Sequence, residues 1–428
     1  MIRPVIGTIG ARVLITGTNL LMVALAGRAL GAEGLGGISL IILGVTLVLI
    51  LAHVVGGGGL VYLVPRFGVG PLLLPAYAWA LVTALVALSV VGRIPIAPEG
   101  FAFHVVGLAF LQALNSIHLN ILVAQERIGL QNTLLVSQSL VQLTAFAILL
   151  EQDGPSLMDH VHASYLAYGL VVVFSFWYVA RTTSGGLAHQ PGKHLRALMV
   201  QGGIGQLANL FQLFNYRAAY YLIEAFRGTA ALGVYSVATQ LAEGTWLVPK
   251  SIGGVLYSRI SNLEAQRRQL QLTAILFKVA VVFGLCCSVV LIALPDAWYG
   301  LLFGKEVRGL GPLLLLLAPG LVAMSGSQVL SHYLSGTGRI RHNMIGSGLG
   351  LVVTLVVGWP AISSHGLAGS AFTASLAYGT SMVYQTVVFL RITGSPLSLL
   401  LPQADDLRRV RWLGHVYRAK RRNGGSYL

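Results

Sequence analysis

Residues 271–293 read QLTAILFKVAVVFGLCCSVVLIA, twenty-three residues with a single charge, Lys278, and no proline. A helix rises 1.5 Å per residue, so about 20 apolar residues cross the ~30 Å hydrocarbon layer of a bilayer. This stretch has the length and composition of one crossing. Eleven others follow the same pattern, at 5–27, 36–60, 71–92, 102–124, 130–150, 158–180, 197–223, 231–256, 310–334, 343–363 and 367–391. The 428-residue chain is 55% hydrophobic and 10% charged, with a mean hydropathy of +0.77. Soluble domains carry about 25% charged residues. A soluble protein is therefore excluded, and the expected fold class is all-α: a polytopic membrane protein of about 12 transmembrane helices. The connections are too short to hold an extramembrane domain.

The formal net charge is +15. Its distribution argues for a membrane topology and against nucleic acid as a partner. Twelve spans place both termini on one side, and the loops on that side, with the C-terminal tail, hold 19 of the 28 Lys and Arg residues. The opposite side holds five: Arg28, Arg93, Arg227, Lys305 and Arg308. Basic residues accumulate on the cytoplasmic side, so both termini are expected to be cytoplasmic. The first apolar stretch is longer than the core of a cleavable signal and shows no small-residue cleavage site before Arg28, so it is expected to remain as span 1. Cys286 and Cys287 are adjacent within a span, which suits neither a disulfide framework nor a metal site, and they are expected to be small packing residues.

The glycine- and proline-containing stretch from Arg181 to Arg196 reads as a hinge between two six-span halves. Gly7-Thr8-Ile9-Gly10 and Gly37-Ile38-Ser39 in the first half answer to Gly202-Gly203-Ile204-Gly205 and Gly233-Val234-Tyr235-Ser236 in the second, at offsets of 195 and 196 residues. An even number of spans per half makes this a parallel repeat, with cargo sites expected where the halves meet. The expected lobes are 1–185 and 186–396, followed by a basic tail, 397–428. That tail, with Trp412 and Tyr417 among its cations, is expected to lie on anionic membrane lipids. Gly56 to Gly59, in span 2, read either as close helix packing with a frayed end or as a flexible joint.

Five charges interrupt the spans: Arg12, Arg217, Glu243, Lys250 and Lys278. A charge at mid-bilayer costs about 2.5–3.5 kcal/mol on insertion scales, so such residues usually face a wet cavity or a partner. Four of the five are cations, which points to a pathway for an anionic cargo. Glu243 and Lys250 are seven residues apart, two turns along one face. Glu243 reads as the counter-ion of a nearby arginine, with a titrating coupling role as the alternative. Lys278 is close enough to the membrane boundary to snorkel.

Span 7 is the least apolar. Gln201, Gly205, Asn209, Gln212, Tyr216 and Tyr220 recur every three or four residues on one face, with Arg217 beside it. In span 4, His104, Gln112, Asn115 and His118 form a similar stripe, and in span 10 Ser325, Gln328, His332 and Ser335 do so. One such stripe reads as helix–helix glue. Several together with uncompensated cations read as a cavity lining. The candidate substrate-binding residues are thus Arg12, Arg217, Lys250, Lys278, Asn209, Gln212, Tyr216, Tyr220, Asn115 and His118. No catalytic signature is present: there is no Walker A loop, and Gly346-Ser347-Gly348-Leu349-Gly350 lies in a span, where it reads as helix packing. His160 and His162 have no evident third metal ligand, and Asp405-Asp406 reads as a solvated turn. No cofactor, metal or enzymatic activity is expected.

Leu232-Gly233-Val234-Tyr235-Ser236-Val237-Ala238, with Leu241-Ala242-Glu243 and Pro249, resembles the span-8 signature of Wzx-like polysaccharide flippases. These belong to the multidrug/oligosaccharidyl-lipid/polysaccharide exporter superfamily. Gly27-Arg28-Ala29-Leu30-Gly31 with Gly37 is similar too, as are Leu301-Leu302-Phe303-Gly304 with Leu317-Ala318-Pro319-Gly320, and Tyr333-Leu334-Ser335-Gly336-Thr337-Gly338 with Arg341 and Asn343. The resemblance implies two six-helix lobes around a central cavity that opens alternately to either side. It implies a bacterial inner membrane as the location and a polyprenyl-diphosphate-linked oligosaccharide as cargo for surface polysaccharide assembly, with the chain acting either alone or beside a polysaccharide polymerase and chain-length regulator. Family members often carry an aspartate two residues after the span-7 arginine, where this chain has Ala219. A multidrug/cation antiporter of the same superfamily is the first alternative, and a membrane polysaccharide polymerase the second.

Overall fold

The computed structural model describes residues 2–91, 93, 97–152, 154–183, 191–262 and 265–403. Among these, the long elements are all helices: α1 (Ile2–Gly56), α2 (Gly58–Phe67), α3 (Gly70–Val91), α4 (Ala102–Ala124), α5 (Ile128–Leu150), α6 (Leu157–Thr182), α7 (Pro191–Gly244), α8 (Leu247–Asn262), α9 (Gln266–Ala293), α10 (Asp296–Phe303), α11 (Leu310–Gly336) and α12 (Arg341–Thr393). Eight described stretches are long and apolar enough to cross a membrane, and two of them, Gly10–Phe67 and Arg341–Thr393, are double length. Those give ten crossings. The other two come from α7 and α8: the polar stripe of span 7 lowers the apolarity of α7, and α8, with 16 residues, completes span 8 after a break.

Among the described residues the expected spans fall on helix, apart from breaks at Gly57 in span 2 and at Thr245–Trp246 in span 8, but three expected loops are missing. α1, α7 and α12 instead turn back at one residue each: Gly31 (φ 68°, ψ −167°), Gly228 (φ 82°, ψ 171°) and Gly366 (φ 58°, ψ −130°). A side chain is disfavoured at such positive φ, and glycine is not. Gly31 and Gly228 lie 197 residues apart with nearly the same dihedral angles. The internal repeat therefore extends to the backbone.

α9 shows why the chain belongs in lipid. Its exposed face carries Val279, Val282, Leu285, Val289 and Val290. Its buried face carries Thr273, Ala274, Phe277, Ala280, Gly284 and Ser288. Apart from Phe277, small residues face the bundle and larger apolar ones face out, the pattern of helices that pack closely in hydrocarbon. Cys286 is exposed, so it is not the packing residue expected, while Cys287 is partly covered.

Two lobes result, α1–α6 and α7–α12; the face that holds the start of α1 and the end of α12 is here called the terminal face. On the opposite face the lobes are locked together. A Cβ at Gly36 would overlap the Thr229 carbonyl, and one at Gly233 would overlap that of Ala32. Beside this seam Arg28 donates from Nε to the Leu301 carbonyl at 3.0 Å, and Glu306 Oε2 accepts the Ala32 N–H at 2.9 Å. A buried cluster including Leu35, Tyr220, Tyr235 and Phe303 continues the contact inward. On the terminal face the seam between spans 2 and 7 is also packed: Leu198 of α7 joins Ala52, Leu60, Leu72 and Ile117 of the first lobe. There the chain breaks between α1 and α2 at Gly57, and Gly56 abuts Ile117, so the glycine run combines a break with close packing. On the other seam, α5 packs on α1, α4 and α6, and α8 packs on α9 and α11, each within its own lobe. No extended packing joins α5 to α8.

The expected hinge falls largely on residues 184–190, and the basic tail with Asp405-Asp406 falls on 404–428. Both lie outside the described residues.

Candidate functional site

Between the lobes lies a chamber of about 640 Å³. The first lobe lines it from α1, α4, α5 and α6, and the second from α7 and α8. Its charged lining is Arg217, Glu243 and Lys250, and its polar lining includes Asn19, Gln112, Gln138, Gln142, Tyr220 and Gln240.

Arg217 and Glu243 form a two-pronged pair: Nη2 donates to Oε2 at 2.8 Å, and Nη1 lies 2.7 Å from Oε1. Nη1 also donates to the Tyr220 hydroxyl at 3.0 Å, and that hydroxyl is 2.6 Å from Thr239 Oγ1. The two charged side chains remain 21% and 28% exposed, so the pair borders the chamber rather than being sealed. Glu243 is thus the counter-ion of Arg217 in this structure. Two such forks fit each other geometrically, and a phosphate has the same fork to offer.

Span 8 breaks just after the acid. α7 ends at Gly244, a turn covers Thr245 and Trp246, and α8 begins at Leu247. Trp246 is buried and packs against Tyr216 and Tyr378, with ring centroids 5.6 Å away in each case. Lys250 is exposed, with its ammonium 5.9 Å from the Trp246 ring centroid and no acid partner among the described residues. The lining therefore carries one neutralised cation and one uncompensated cation.

The other expected site residues divide into four groups. Tyr220 joins the chamber beside Arg217. Arg12 is exposed one turn before the first lining residues, Ile15 and Thr16, and does not line the chamber; Lys278, half-buried on α9, does not line it either. Asn115 and His118 are buried inside the first lobe. His118 bridges Tyr77 Oη at 2.7 Å and Ser175 Oγ at 2.8 Å, so it acts as helix–helix glue. Asn115 Nδ2 reaches Gln138 Oε1 and the Tyr168 carbonyl, both at 3.4 Å, one layer behind the wall. Asn209, Gln212 and Tyr216 turn the other way, into a separate cavity of about 180 Å³ within the second lobe. The reason is that span 7 is itself the wall: Leu213, Arg217 and Tyr220 look into the chamber, while Asn209, Gln212 and Tyr216 look away from it.

Sequence reasoning missed Gln138 and Gln142 of α5. They stand four residues apart on one face of α5, the same spacing that marked spans 4 and 7. Asn19 and Gln240 were missed too, although Thr16 and Glu243 stand three residues from them on the same lining. No group of metal-ligating side chains occurs among the described residues.

Comparison with known proteins places this geometry in a class. The MatE family model matches residues 206–360, about a third of the chain. A structure of a multidrug resistance MATE family transporter of the MOP superfamily in its inward-facing conformation is similar, with a TM-score of 0.73 at 14% identity over 89% of this chain and 94% of that one. An outward-facing structure of such a transporter gives 0.66 at 14% identity over 92% and 95%. The fold is that of the MATE transporters. In sequence, the capsular polysaccharide biosynthesis protein CapF of Staphylococcus aureus is 23% identical over 174 residues. That match spans 40% of this chain and 44% of CapF, less than half of either.

Proposed function

We propose that this chain is an alternating-access transporter that flips a polyprenyl-diphosphate-linked oligosaccharide across the cytoplasmic membrane for surface polysaccharide assembly. The observation that carries the reading is the chamber's charge: an uncompensated Lys250 beside an Arg217 held by a replaceable carboxylate. A diphosphate entering between α5 and α8 meets Lys250 and then competes with Glu243 for the guanidinium. When it leaves, Glu243 takes Arg217 back, so the empty chamber never holds a bare arginine. The amides Gln112, Gln138, Gln142 and Gln240 suit glycan hydroxyls, and the lipid tail stays in the bilayer alongside that seam. The closed opposite face corresponds to the loading state, and rocking of the lobes about the span 2–span 7 seam would expose the headgroup to the other side. The stretch similar to a capsular polysaccharide protein supports this choice of cargo.

A second reading, a multidrug/cation antiporter, is favoured by one feature: Glu243 is a chamber carboxylate able to meet a cationic drug if Arg217 turns away. Complementation separates the two. Arg217→Ala is expected to abolish surface polysaccharide while the protein still accumulates in the membrane. Wild-type polysaccharide in that variant, together with Glu243-dependent export of a cationic dye, would replace the flippase reading with the antiporter one.

A further inference from the structure

The 180 Å³ cavity inside the second lobe, between α7, α11 and α12, is distinct from the chamber, with span 7 between them. Six amide side chains line it, Asn209, Gln212, Asn215, Gln328, Asn343 and Gln385, with five serines and no charged residue. One wall is already ordered. Ser327 donates to Gln385 Oε1 at 2.7 Å, Gln385 Nε2 to Asn343 Oδ1 at 3.4 Å, and Asn343 Nδ2 to Ser335 Oγ at 2.9 Å. On the other wall Asn215, only 4% exposed, leaves its buried Oδ1 without a hydrogen-bond partner. Asn209, Gln212 and Ile340 are exposed, so the cavity opens toward the terminal face.

We propose that this cavity is a binding subsite for a single neutral monosaccharide unit. Each amide presents an acceptor and donors together, which is what adjacent sugar hydroxyls require. The size admits one ring. A charged ligand would lose its hydration here and find no opposite charge in return, so uronates and cations are disfavoured. This inference rests on the proposed glycan cargo for its place in the transport cycle: the site would hold a sugar of the repeat unit, or a free glycoside, on the far side of span 7 from the diphosphate.

The test is saturation-transfer NMR on the full chain in nanodiscs, using methyl β-D-glucopyranoside, N-acetylglucosamine methyl glycoside and glucuronate as probes. At least one neutral glycoside is expected to bind, about tenfold more weakly in Ser347→Phe, which fills the cavity from its rim, and unchanged in Arg217→Gln. Ser331→Leu provides the same reading if Ser347→Phe does not fold. No signal from either neutral probe, equal binding in the filled variants, preference for glucuronate, or loss in Arg217→Gln would overturn the inference. Transport is not part of this readout, so a failed cargo assignment leaves a positive binding result standing.

Discussion

Glu243→Gln should make the chamber bind a diphosphate more tightly. The amide keeps the shape of the carboxylate but releases Arg217 from an ion pair with contacts of 2.7 and 2.8 Å. Two unit charges ~4 Å apart attract by about 4 kcal/mol at an effective dielectric constant of ~20. The pair is 21% and 28% exposed to a wet chamber, and screening of that kind leaves about 1–2 kcal/mol for an incoming anion to overcome. Removing it should tighten pyrophosphate binding about 5- to 30-fold, at ~1.4 kcal/mol per factor of ten. Calorimetric titration of the nanodisc-embedded protein with pyrophosphate reads this directly. The same variant should transport less well, because release would then leave a bare arginine. Pyrophosphate affinity that is unchanged or weaker in Glu243→Gln would refute the exchange of Glu243 for phosphate.

Three further outcomes follow from the geometry. Lys250→Gln should weaken pyrophosphate binding about tenfold and flatten its dependence on salt, since an exposed cation attracts through a screened field; the same titration at two ionic strengths checks it. His118→Leu should lower the thermal unfolding midpoint, because Tyr77 and Ser175 lose their shared partner at about 1–3 kcal/mol for stranded polar groups, with pyrophosphate affinity unchanged in calorimetry. Gly233→Leu should prevent closure of the opposite face, where a Cβ overlaps the Ala32 carbonyl; spin labels across that face should report a longer distance than in the wild type.

The crossings were legible because hydrocarbon thickness acts on every residue of a span, and 271–293 needs no neighbour to be understood. The corners were not: Gly31, Gly228 and Gly366 replace loops of several residues, and nothing in composition tells a tight turn from a longer one. Arg217 and Glu243 were legible as a charge and its counter-ion because buried charges require partners. The side each polar residue faces was much harder to read. Asn209, Gln212 and Tyr216 share a stripe with Tyr220, yet span 7 sends them into a different cavity, because the stripe straddles a wall whose position depends on α11 and α12. His118 carries the same signal as a cavity residue and is instead satisfied by Tyr77 and Ser175 from neighbouring helices. Arg12 interrupts span 1 as a cavity cation would, but the chamber begins one turn later.

Reconstitution with a polyprenyl-diphosphate-linked oligosaccharide tests the central claim most directly, by following how much of the glycan in proteoliposomes becomes accessible to an impermeant glycosidase. The wild-type chain should move the pool held in the inner leaflet, whereas Arg217→Ala and Lys250→Gln should leave it protected at the level of protein-free vesicles. Equal exposure with all three proteins, or none with the wild type, would contradict a cationic chamber that carries a diphosphate.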